Sequence, residues 1–385
     1  MPSAARRQPA LRRYLDHNAG APLSATARAA MRSAMDAPLG NPSSVHAAGR
    51  EARAVLDEAR AQVAALAGAA PEAVVFASGG TEAIALGLRG LVRTGGVRTR
   101  LLVGAAEHPA VHGAAAALAR EGFEVVSLPV DRAGVVDVAA ARGLVDERVA
   151  LVAVQAANHE TGVIQPVAEV AALARIAGAR VFCDAVQAAG KLAISCASLG
   201  ADAIAISAHK LGGPAGAGAL VLAVGVDVAA PPGAHQERGR RPGTEPLLAI
   251  AGFGAAAAAA LVSLPVEAER LRRLRERLET GLATLGGEVF AGDRPRTPNT
   301  TLTRFPGAPG PLVVISLDLA GFAVSTGAAC SSGSVRPSAV LLAAGHPLTV
   351  AAEAVRVSIG RDTDEDDVDA LLAALPAIIA RVRAA

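Results

Sequence analysis

The chain has 385 residues, a length that suits one large and one smaller domain in a single compact subunit. Hydrophobic residues make up 52% and charged residues 19%, which excludes a disordered chain. Aromatic residues make up only 2%, so the sequence offers no stacking platform for nucleic acid, and the formal net charge of +2 is small. We therefore expect a globular protein that binds no nucleic acid.

The N-terminus, the apolar stretches and the cysteines indicate where in the cell the protein is expected. The first thirteen residues contain four arginines and no acidic residue, and we interpret residues 1–13 as an arm that packs with the smaller domain. The most apolar stretch, residues 249–262, is shorter than the roughly 20 residues of a membrane span, so no transmembrane helix and no membrane partner are predicted. Three widely spaced cysteines, Cys183, Cys196 and Cys330, predict a reducing, cytoplasmic location.

Short apolar runs recur between residues 74 and 224, separated by segments of helical composition. The runs are AVVFAS, RLLVGA, FEVVSL, VALVAVQ, RVFCDA, DAIAIS and GALVLAV. Several of them are apolar throughout, as expected of strands that helices cover on both faces. This alternation predicts an α/β fold with a mostly parallel seven-stranded sheet.

The second part of the chain has a different pattern. After a Pro- and Gly-rich stretch, residues 231–246, an Ala-rich helix leads into a charged run, residues 267–279, with leucines at helical spacing. The shorter runs TTLTRF, LVVISLDLA, FAVST and VRVSIG follow, and then an amphipathic helix near residues 364–382. We predict a large domain over residues 14–260 and a small α+β C-terminal domain over residues 261–385.

A lysine and a carboxylate each follow a predicted strand, where ligands of open α/β sheets bind. Lys210, in SAHKLGGP, could form a Schiff base with a carbonyl cofactor such as pyridoxal 5'-phosphate (PLP), and a surface loop lysine is the usual alternative. The chain has only one other lysine, Lys191, which favours a specific role for Lys210. Asp184, in FCDAVQ, could pair with the cofactor's pyridine nitrogen, although helix capping is common for such a residue.

Three further segments carry candidate site residues. SGGTE follows a strand and opens a helix, so that Gly80 and Thr81 could hold a phosphate, although a tight βα turn would have the same composition. His108 ends another strand, where an imidazole could stack on a flat cofactor and move protons. Cys330 lies in a loop of small residues, STGAACSSGS, which suits an accessible thiolate, whereas Cys183 fits a buried strand.

Together these segments resemble the cysteine desulfurases of the IscS/NifS type, within the class V aminotransferase-like PLP enzymes of fold type I. The resemblance runs from Tyr14 onward, and ten segments in one order are far more specific than any one of them. The segments are YLDHNAGAP, NPSSVHAAGR, SGGTEA, EHPAV, NHETGVIQP, CDAVQAAGK, SAHKLGGPAGAGAL, QERGRRPGTEP, STGAACSSGS and VRVSIGRDT.

The resemblance implies a set of site residues around PLP. Asp184 would pair with the ring nitrogen, Gln187 would bind the ring hydroxyl and His108 would stack over the ring. The implied cofactor-binding residues are Gly80, Thr81, His159, Asp184, Gln187, Ser207, His209, Lys210 and, from the neighbouring subunit of a homodimer, Thr244. The implied substrate-binding residues are Asn41, Asn158 and Arg356, of which the arginine suits bidentate capture of a carboxylate.

The implied activity is the removal of sulfur from L-cysteine, which gives L-alanine and a persulfide on Cys330. The sulfur would pass to an acceptor protein for iron–sulfur cluster assembly or tRNA thiolation. The implied catalytic residues are Cys330, Lys210 and His108, and no metal site is expected beyond a transient iron–sulfur ligand role for Cys330. A selenocysteine lyase or another class V PLP enzyme is the alternative activity, and a non-enzymatic assembly partner is the alternative from another class.

Two residues depart from the family pattern. His159 stands where many relatives have asparagine, near the cofactor hydroxyl and the substrate, and it could still donate a hydrogen bond there. His17 lies in the opening segment, and we expect it near the entrance of the active site.

Overall fold

The computed structural model describes residues 13–94, 96–327 and 336–384. The strands are β1 (Arg13–Tyr14), β2 (Val74–Ala77), β3 (Arg100–Gly104), β4 (Glu124–Leu128), β5 (Val149–Ala153), β6 (Arg180–Asp184), β7 (Ala203–Ser207), β8 (Gly218–Leu222), β9 (Glu288–Val289), β10 (Thr300–Arg304), β11 (Phe322–Ala323) and β12 (Ala354–Ser358). The helices are α1 (Ala25–Asp36), α2 (Ala47–Leu66), α3 (Gly80–Thr94), α4 (Pro109–Arg120), α5 (Val138–Arg142), α6 (Val167–Ile176), α7 (Cys196–Leu199), α8 (Leu247–Thr284), α9 (Gly310–Leu319), α10 (Ala339–Ala343), α11 (Leu348–Ala352) and α12 (Glu365–Arg383).

Strands β2 to β8 form a seven-stranded sheet in the order β2-β8-β7-β6-β5-β3-β4. Only β8 runs against its neighbours β2 and β7, and the other pairings in this sheet are parallel. Side chains alternate between two hydrophobic clusters on the two faces: Val181 and Cys183 of β6 enter one cluster, and Phe182 enters the other. The predicted mostly parallel seven-stranded sheet is confirmed, and its strands read as apolar runs because both faces are covered.

The direction of the strands brings several chain segments together. Strands β3, β5, β6 and β7 are parallel, and β2 runs the same way because it and β7 are both antiparallel to β8. The carboxyl ends of all five strands therefore lie at one edge of the sheet. That edge is where the predicted site segments follow their strands.

A third hydrophobic cluster lies outside this sheet. The antiparallel sheet β12-β10-β9 and the parallel pair β1-β11 belong to this part of the molecule. Helix α8 runs through both parts without a break: Phe253 and Ala257 lie in a cluster on the large sheet, whereas Leu271 and Leu278 lie in the third cluster. Leu15 also packs with the third cluster, and the domain boundary near residue 260 stays a prediction.

Among the described residues, α8 is the one helix long and apolar enough, by length and composition, to cross a membrane. Its most apolar window has a mean hydropathy of 2.2, and 39% of that window is buried within the protein. The helix is longer than the apolar stretch at residues 249–262 and continues to Thr284, but this continuation contains the charged run at residues 267–279. Its buried face, which includes Ile250 and Phe253, packs into the protein core as that of a core helix does.

A buried ion pair fixes β2 at the edge of the large sheet. The two guanidinium nitrogens of Arg60 each donate to one carboxylate oxygen of Glu237 over 2.7 Å. Arg60 also donates to the carbonyl of Val74, and the Phe76 amide donates to Glu237, both over 2.8 Å. Both charged side chains are buried, so each depends on the other for its charge compensation.

We expect Glu237→Ala to lower the free energy of unfolding by about 3–5 kcal/mol, because it leaves the Arg60 charge buried and unpaired. Urea unfolding of the cofactor-free protein measures this loss. The matched control is Glu121→Ala, which breaks the exposed pairs with Arg89 and Arg93 and should cost at most about 1 kcal/mol. Equal losses in the two variants would contradict a structural role for the buried pair.

Candidate active site

A cavity of about 370 Å³ opens at the carboxyl edge of the large sheet. It brings together predicted site residues from six separate segments of the chain, together with Ser325 and Gly327, which precede the Cys330 loop. The predicted residues that line it are Gly80, Thr81, His108, His159, Asp184, Gln187, Ser207, His209, Lys210 and Arg356.

The amine of Lys210 is held at the wall of this cavity. Its Nζ atom donates to the backbone carbonyl of Asn18 over 2.5 Å and to that of Ala19 over 2.9 Å. Burial, with a smaller contribution from the positive charge of Arg356, lowers the pKa of Lys210 to about 8. A substantial fraction of this amine is therefore uncharged and nucleophilic at mildly alkaline pH.

Two carboxylates lie near each other at the cavity: Asp184 lines its wall, and Glu107 does not. Asp184 is at the end of β6, and one of its oxygens accepts a hydrogen bond from the Val186 amide over 2.9 Å. Burial raises the pKa of Asp184 to about 6. Glu107 is more deeply placed, one of its carboxylate oxygens has no hydrogen-bond partner among the described residues, and burial together with the Asp184 charge raises its pKa well above the usual value. A cationic group in the cavity would relieve this concentration of negative charge.

Two imidazoles meet edge to face over the cavity, with ring centroids 5.1 Å apart. The Nδ1 atom of His108 accepts a hydrogen bond from the Ala110 amide, so the proton of the neutral ring lies on Nε2. Burial, and then the Lys210 charge, lowers the pKa of His108 to about 4. His159 is also neutral near pH 7 because burial lowers its pKa well below the usual value, and its buried Nδ1 atom has no partner among the described residues.

The start of α3 forms one end of the cavity. Gly80 is the first residue of this helix, and a Cβ atom there would lie 2.8 Å from a methyl carbon of Val186, so a larger residue would collide. The Ser207 hydroxyl and the Nδ1 atom of His209 are hydrogen bonded over 2.9 Å beside it. The free amides of a helix start, with hydroxyl donors alongside, suit a phosphate group.

Arg356 reaches the cavity from β12. One guanidinium nitrogen donates to the carboxylate of Asp16 over 2.7 Å and the other donates to the His159 carbonyl over 2.9 Å. The buried Nε atom has no partner among the described residues. A substrate carboxylate would thus share Arg356 with Asp16, a residue that sequence reasoning missed although it lies in the segment YLDHNAGAP.

Four predicted site residues are not brought to the cavity by the described chain. The Asn41 and Thr244 side chains are exposed elsewhere on the surface. Asn158 is buried, but its side-chain oxygen accepts hydrogen bonds from the amides of Glu160 and Thr161 and so serves the local turn. Cys330 lies outside the described residues.

The expectation for His17 was wrong. The His17 side chain is only 6% exposed and packs directly against Gly360, so it is not at an entrance. It faces a second cavity of about 220 Å³, behind the first. Lys210 lines both cavities, and Lys191 lines the second.

The comparisons with known proteins agree with this geometry. A family model described as Aminotransferase class-V matches residues 13–371. A cysteine desulfurase of Rhodobacter capsulatus is 41% identical over 382 residues, which are 98% of this chain and 98% of that relative. The cysteine desulfurase NifS of Azotobacter vinelandii is 37% identical over 376 residues, 96% of this chain and 93% of the relative. The chain belongs to the cysteine desulfurase family.

A solved structure of a NifS-like protein confirms the predicted fold class of this family. It matches with a TM-score of 0.89 at 33% identity, over 96% of this chain and 100% of that one. A NifS-like protein from Rickettsia africae matches with a TM-score of 0.85 at 29% identity, over 95% of this chain and 99% of that one. The resemblance identified in the sequence is thus confirmed over nearly the whole chain.

The cavity fits PLP, the cofactor on which this family depends. It offers an amine for the aldehyde, a buried carboxylate for the ring nitrogen and a helix start for the phosphate. Its wall also contains a buried polar atom, Nδ1 of His159, that has no hydrogen-bond partner in the part of the chain that the structure describes and that a cofactor or substrate group could satisfy. Gly80 leaves the helix start open, as the close approach of an anion requires.

Lysine is scarce enough in this family member for both amines to be followed individually. We expect the pKa values of Lys191 and Lys210 in the cofactor-free protein to be about 7 and about 8, below the ordinary 10.5, because burial disfavours the charged form. A pH titration of protein carrying ¹³Cε-lysine, observed by NMR, measures both values, and Lys191→Met assigns the signals. Two midpoints near the ordinary value would contradict the burial of these amines.

Proposed function

We propose that the protein is a PLP-dependent cysteine desulfurase that takes L-cysteine as its substrate and carries the sulfur on Cys330. The observation that carries this proposal is that Ser325 and Gly327 line the same cavity as Lys210. Cys330 follows Gly327 by three residues, and three residues of chain span at most about 11 Å. A tether of this length would allow the thiol to reach the groups that would hold the cofactor and the substrate.

The chain's residues have distinct parts in this activity. Lys210 would hold the aldehyde of the cofactor and Asp184 its ring nitrogen. Gly80, Thr81, Ser207 and His209 would hold its phosphate. When bound, PLP draws electrons from the α-carbon of an attached amino acid and so acidifies its proton. Arg356 binds the substrate carboxylate and orients the substrate, and it gives up part of its contact with Asp16 to do so.

Proton transfer falls to two groups with lowered pKa values. Lys210, with a pKa of about 8, takes the proton from the α-carbon as a free amine and returns a proton afterwards. His108 remains neutral at pH 7 and presents its Nε2 proton, since Nδ1 accepts from the chain. A neutral imidazole can lie against the cofactor ring without adding to the positive charge of Arg356 and Lys210.

Sulfur transfer is a reaction between two thiols. The Cys330 thiolate attacks the substrate sulfur, a sulfur–sulfur bond forms and the bond between sulfur and the substrate's β-carbon breaks. The electron pair of that bond passes to the carbon skeleton, which takes up protons and leaves as L-alanine. The balance is L-cysteine plus a protein thiol to L-alanine plus a protein persulfide.

One similarity supports the substrate, and the exposure of two predicted site residues supports a homodimer. A solved structure titled SspA in complex with cysteine matches this chain at 26% identity with a TM-score of 0.79. The exposed positions of Asn41 and Thr244 suit a homodimer in which each subunit completes its neighbour's site. We propose that the persulfide sulfur passes, in the cytoplasm, to a protein that assembles iron–sulfur clusters or thiolates tRNA.

The test compares Cys330→Ser with a matched cysteine variant. We expect Cys330→Ser to retain PLP and its absorbance and to lose persulfide and alanine formation from L-cysteine, because only the nucleophile is removed. The control is Cys196→Ala: burial raises the pKa of Cys196 to about 12, so its thiol is inert and both products should form. Alanine, sulfide and protein persulfide are measured after incubation with L-cysteine.

Full alanine and sulfide release by Cys330→Ser would contradict the assignment of the nucleophile. The same assay with L-selenocysteine as the substrate distinguishes a selenocysteine lyase from a cysteine desulfurase. A rate on selenocysteine that survives Cys330→Ser, with no reaction on L-cysteine in the unaltered protein, would replace the desulfurase proposal by a selenocysteine lyase.

A further inference from the structure

We propose that Lys191 is a positioning residue that orients the carboxamide of Gln187 toward the cofactor. This inference rests on the proposed function, in which Gln187 binds the ring hydroxyl of PLP. Gln187 lines the active-site cavity, whereas Lys191 lines only the second cavity behind it. Lys191 would therefore act through Gln187 and not by touching the cofactor.

The contacts of Gln187 determine which way its amide points. The Lys191 amine donates to the Gln187 side-chain oxygen over 2.8 Å, and the Gln187 side-chain nitrogen donates to the Asn18 carbonyl over 3.0 Å. An ammonium group has no acceptor and a carbonyl has no donor. If the Gln187 amide were flipped, its NH₂ group would face the Lys191 ammonium and its oxygen would face the Asn18 carbonyl, and neither pair can form a hydrogen bond. The two contacts together therefore fix a single orientation.

In this orientation one N–H donor of the Gln187 side-chain amide is available to a group in the cavity. The NH₂ group of Gln187 has two hydrogens, and the Asn18 carbonyl receives one of them. The second hydrogen is available to an oxygen on the cofactor ring. Without Lys191, the Gln187 oxygen would be left buried without this donor, and the amide would lose its orientation.

The surroundings of Lys191 keep its amine in place. Lys191 is only 8% exposed and also donates to the Asn18 side-chain oxygen over 3.2 Å. Burial, followed by the charges of Lys210 and Arg356, lowers its pKa to about 7. Both the charged and the uncharged amine carry hydrogens, so the amine can donate to Gln187 on either side of this pKa. When the amine is uncharged it could also accept, and the Asn18 carbonyl, which only accepts, then disfavours the flipped amide.

The experiment measures PLP binding, which needs no catalytic turnover. Cofactor-free protein is titrated with PLP, and the dissociation constant is read from the absorbance of the bound cofactor. We expect Lys191→Met to weaken binding about 3- to 10-fold, the range for one oriented hydrogen bond. Ser263→Ala is the control, because it alters the wall of the second cavity without touching Gln187, and its dissociation constant should be unchanged.

A double-mutant cycle tells an effect through Gln187 from a general structural effect. If Lys191 acts through Gln187, adding Lys191→Met to Gln187→Ala should change the dissociation constant less than twofold. The proposal would be overturned if the two substitutions weakened PLP binding by factors that multiply in the double mutant. An unchanged dissociation constant in Lys191→Met alone would overturn it as well. A failure of the desulfurase proposal would appear instead as PLP-loaded protein that forms no persulfide.

A second variant covers the case in which Lys191→Met does not fold. Lys191→Ala removes three carbons and the amine, a space that n-propylamine can fill, so the protein is prepared with propylamine and then dialysed. Binding is measured with pyridoxamine 5'-phosphate, which keeps the ring hydroxyl but has no aldehyde that could condense with the added amine. We expect its affinity to fall when propylamine is removed and to return when propylamine is restored. An affinity that does not change with propylamine in this variant would overturn the proposal.

Discussion

The active-site edge depends on one buried residue, Asn18, and on the hydrogen bonds that converge on it. Its backbone carbonyl accepts from the amine of Lys210 and from the side chain of Gln187, at the ends of two strands of the large sheet. Its amide donates to the Ser358 hydroxyl of β12, and its side chain donates to Thr300 of β10. A single residue from the N-terminal segment thus joins the large sheet to the small one. The relative position of Lys210 and Arg356, which approach the cavity from the two sides, follows from this junction.

Burial determines the pKa values at the site, and the charged groups there do not fully compensate one another. It lowers the pKa values of Lys191 and Lys210 and raises those of Asp184 and Glu107, so the charged form of each group is disfavoured. Keeping such groups together lowers the stability of the folded protein, and perturbed pKa values of this kind cluster at functional sites. A cofactor that brings a cationic ring nitrogen and an anionic phosphate would compensate both signs at once.

The sequence predicted those features that arise from local pattern. Seven apolar runs gave the seven strands, and because parallel strands end at one edge, Lys210, Asp184, His108 and Gly80 could be expected to meet. The continuity of α8 was missed because its composition changes from apolar to charged where it passes from one cluster to the other.

The junction residues could not be predicted in the same way. Asp16 and Asn18 act through contacts with residues far away in the chain, and no sequence spacing indicates such contacts. Lys191 lies only four residues after Gln187, but its second contact, with Asn18, spans 173 residues. His17 was one of the two residues that differed from the family pattern, yet its neighbours on both sides face the cavity while it faces Gly360. Residues 17–19 form a turn, in which successive side chains point in different directions, and the sequence alone does not say which of them faces the site.

The central claim is that the described edge of the sheet holds the cofactor on Lys210. The most direct measurement is to reduce the PLP-loaded protein with borohydride and to map the modified peptide by mass spectrometry. With two lysines in the chain, the outcomes are distinct. The account predicts phosphopyridoxyl on the peptide containing Lys210, and modification confined to Lys191, or no modified lysine at all, would contradict it.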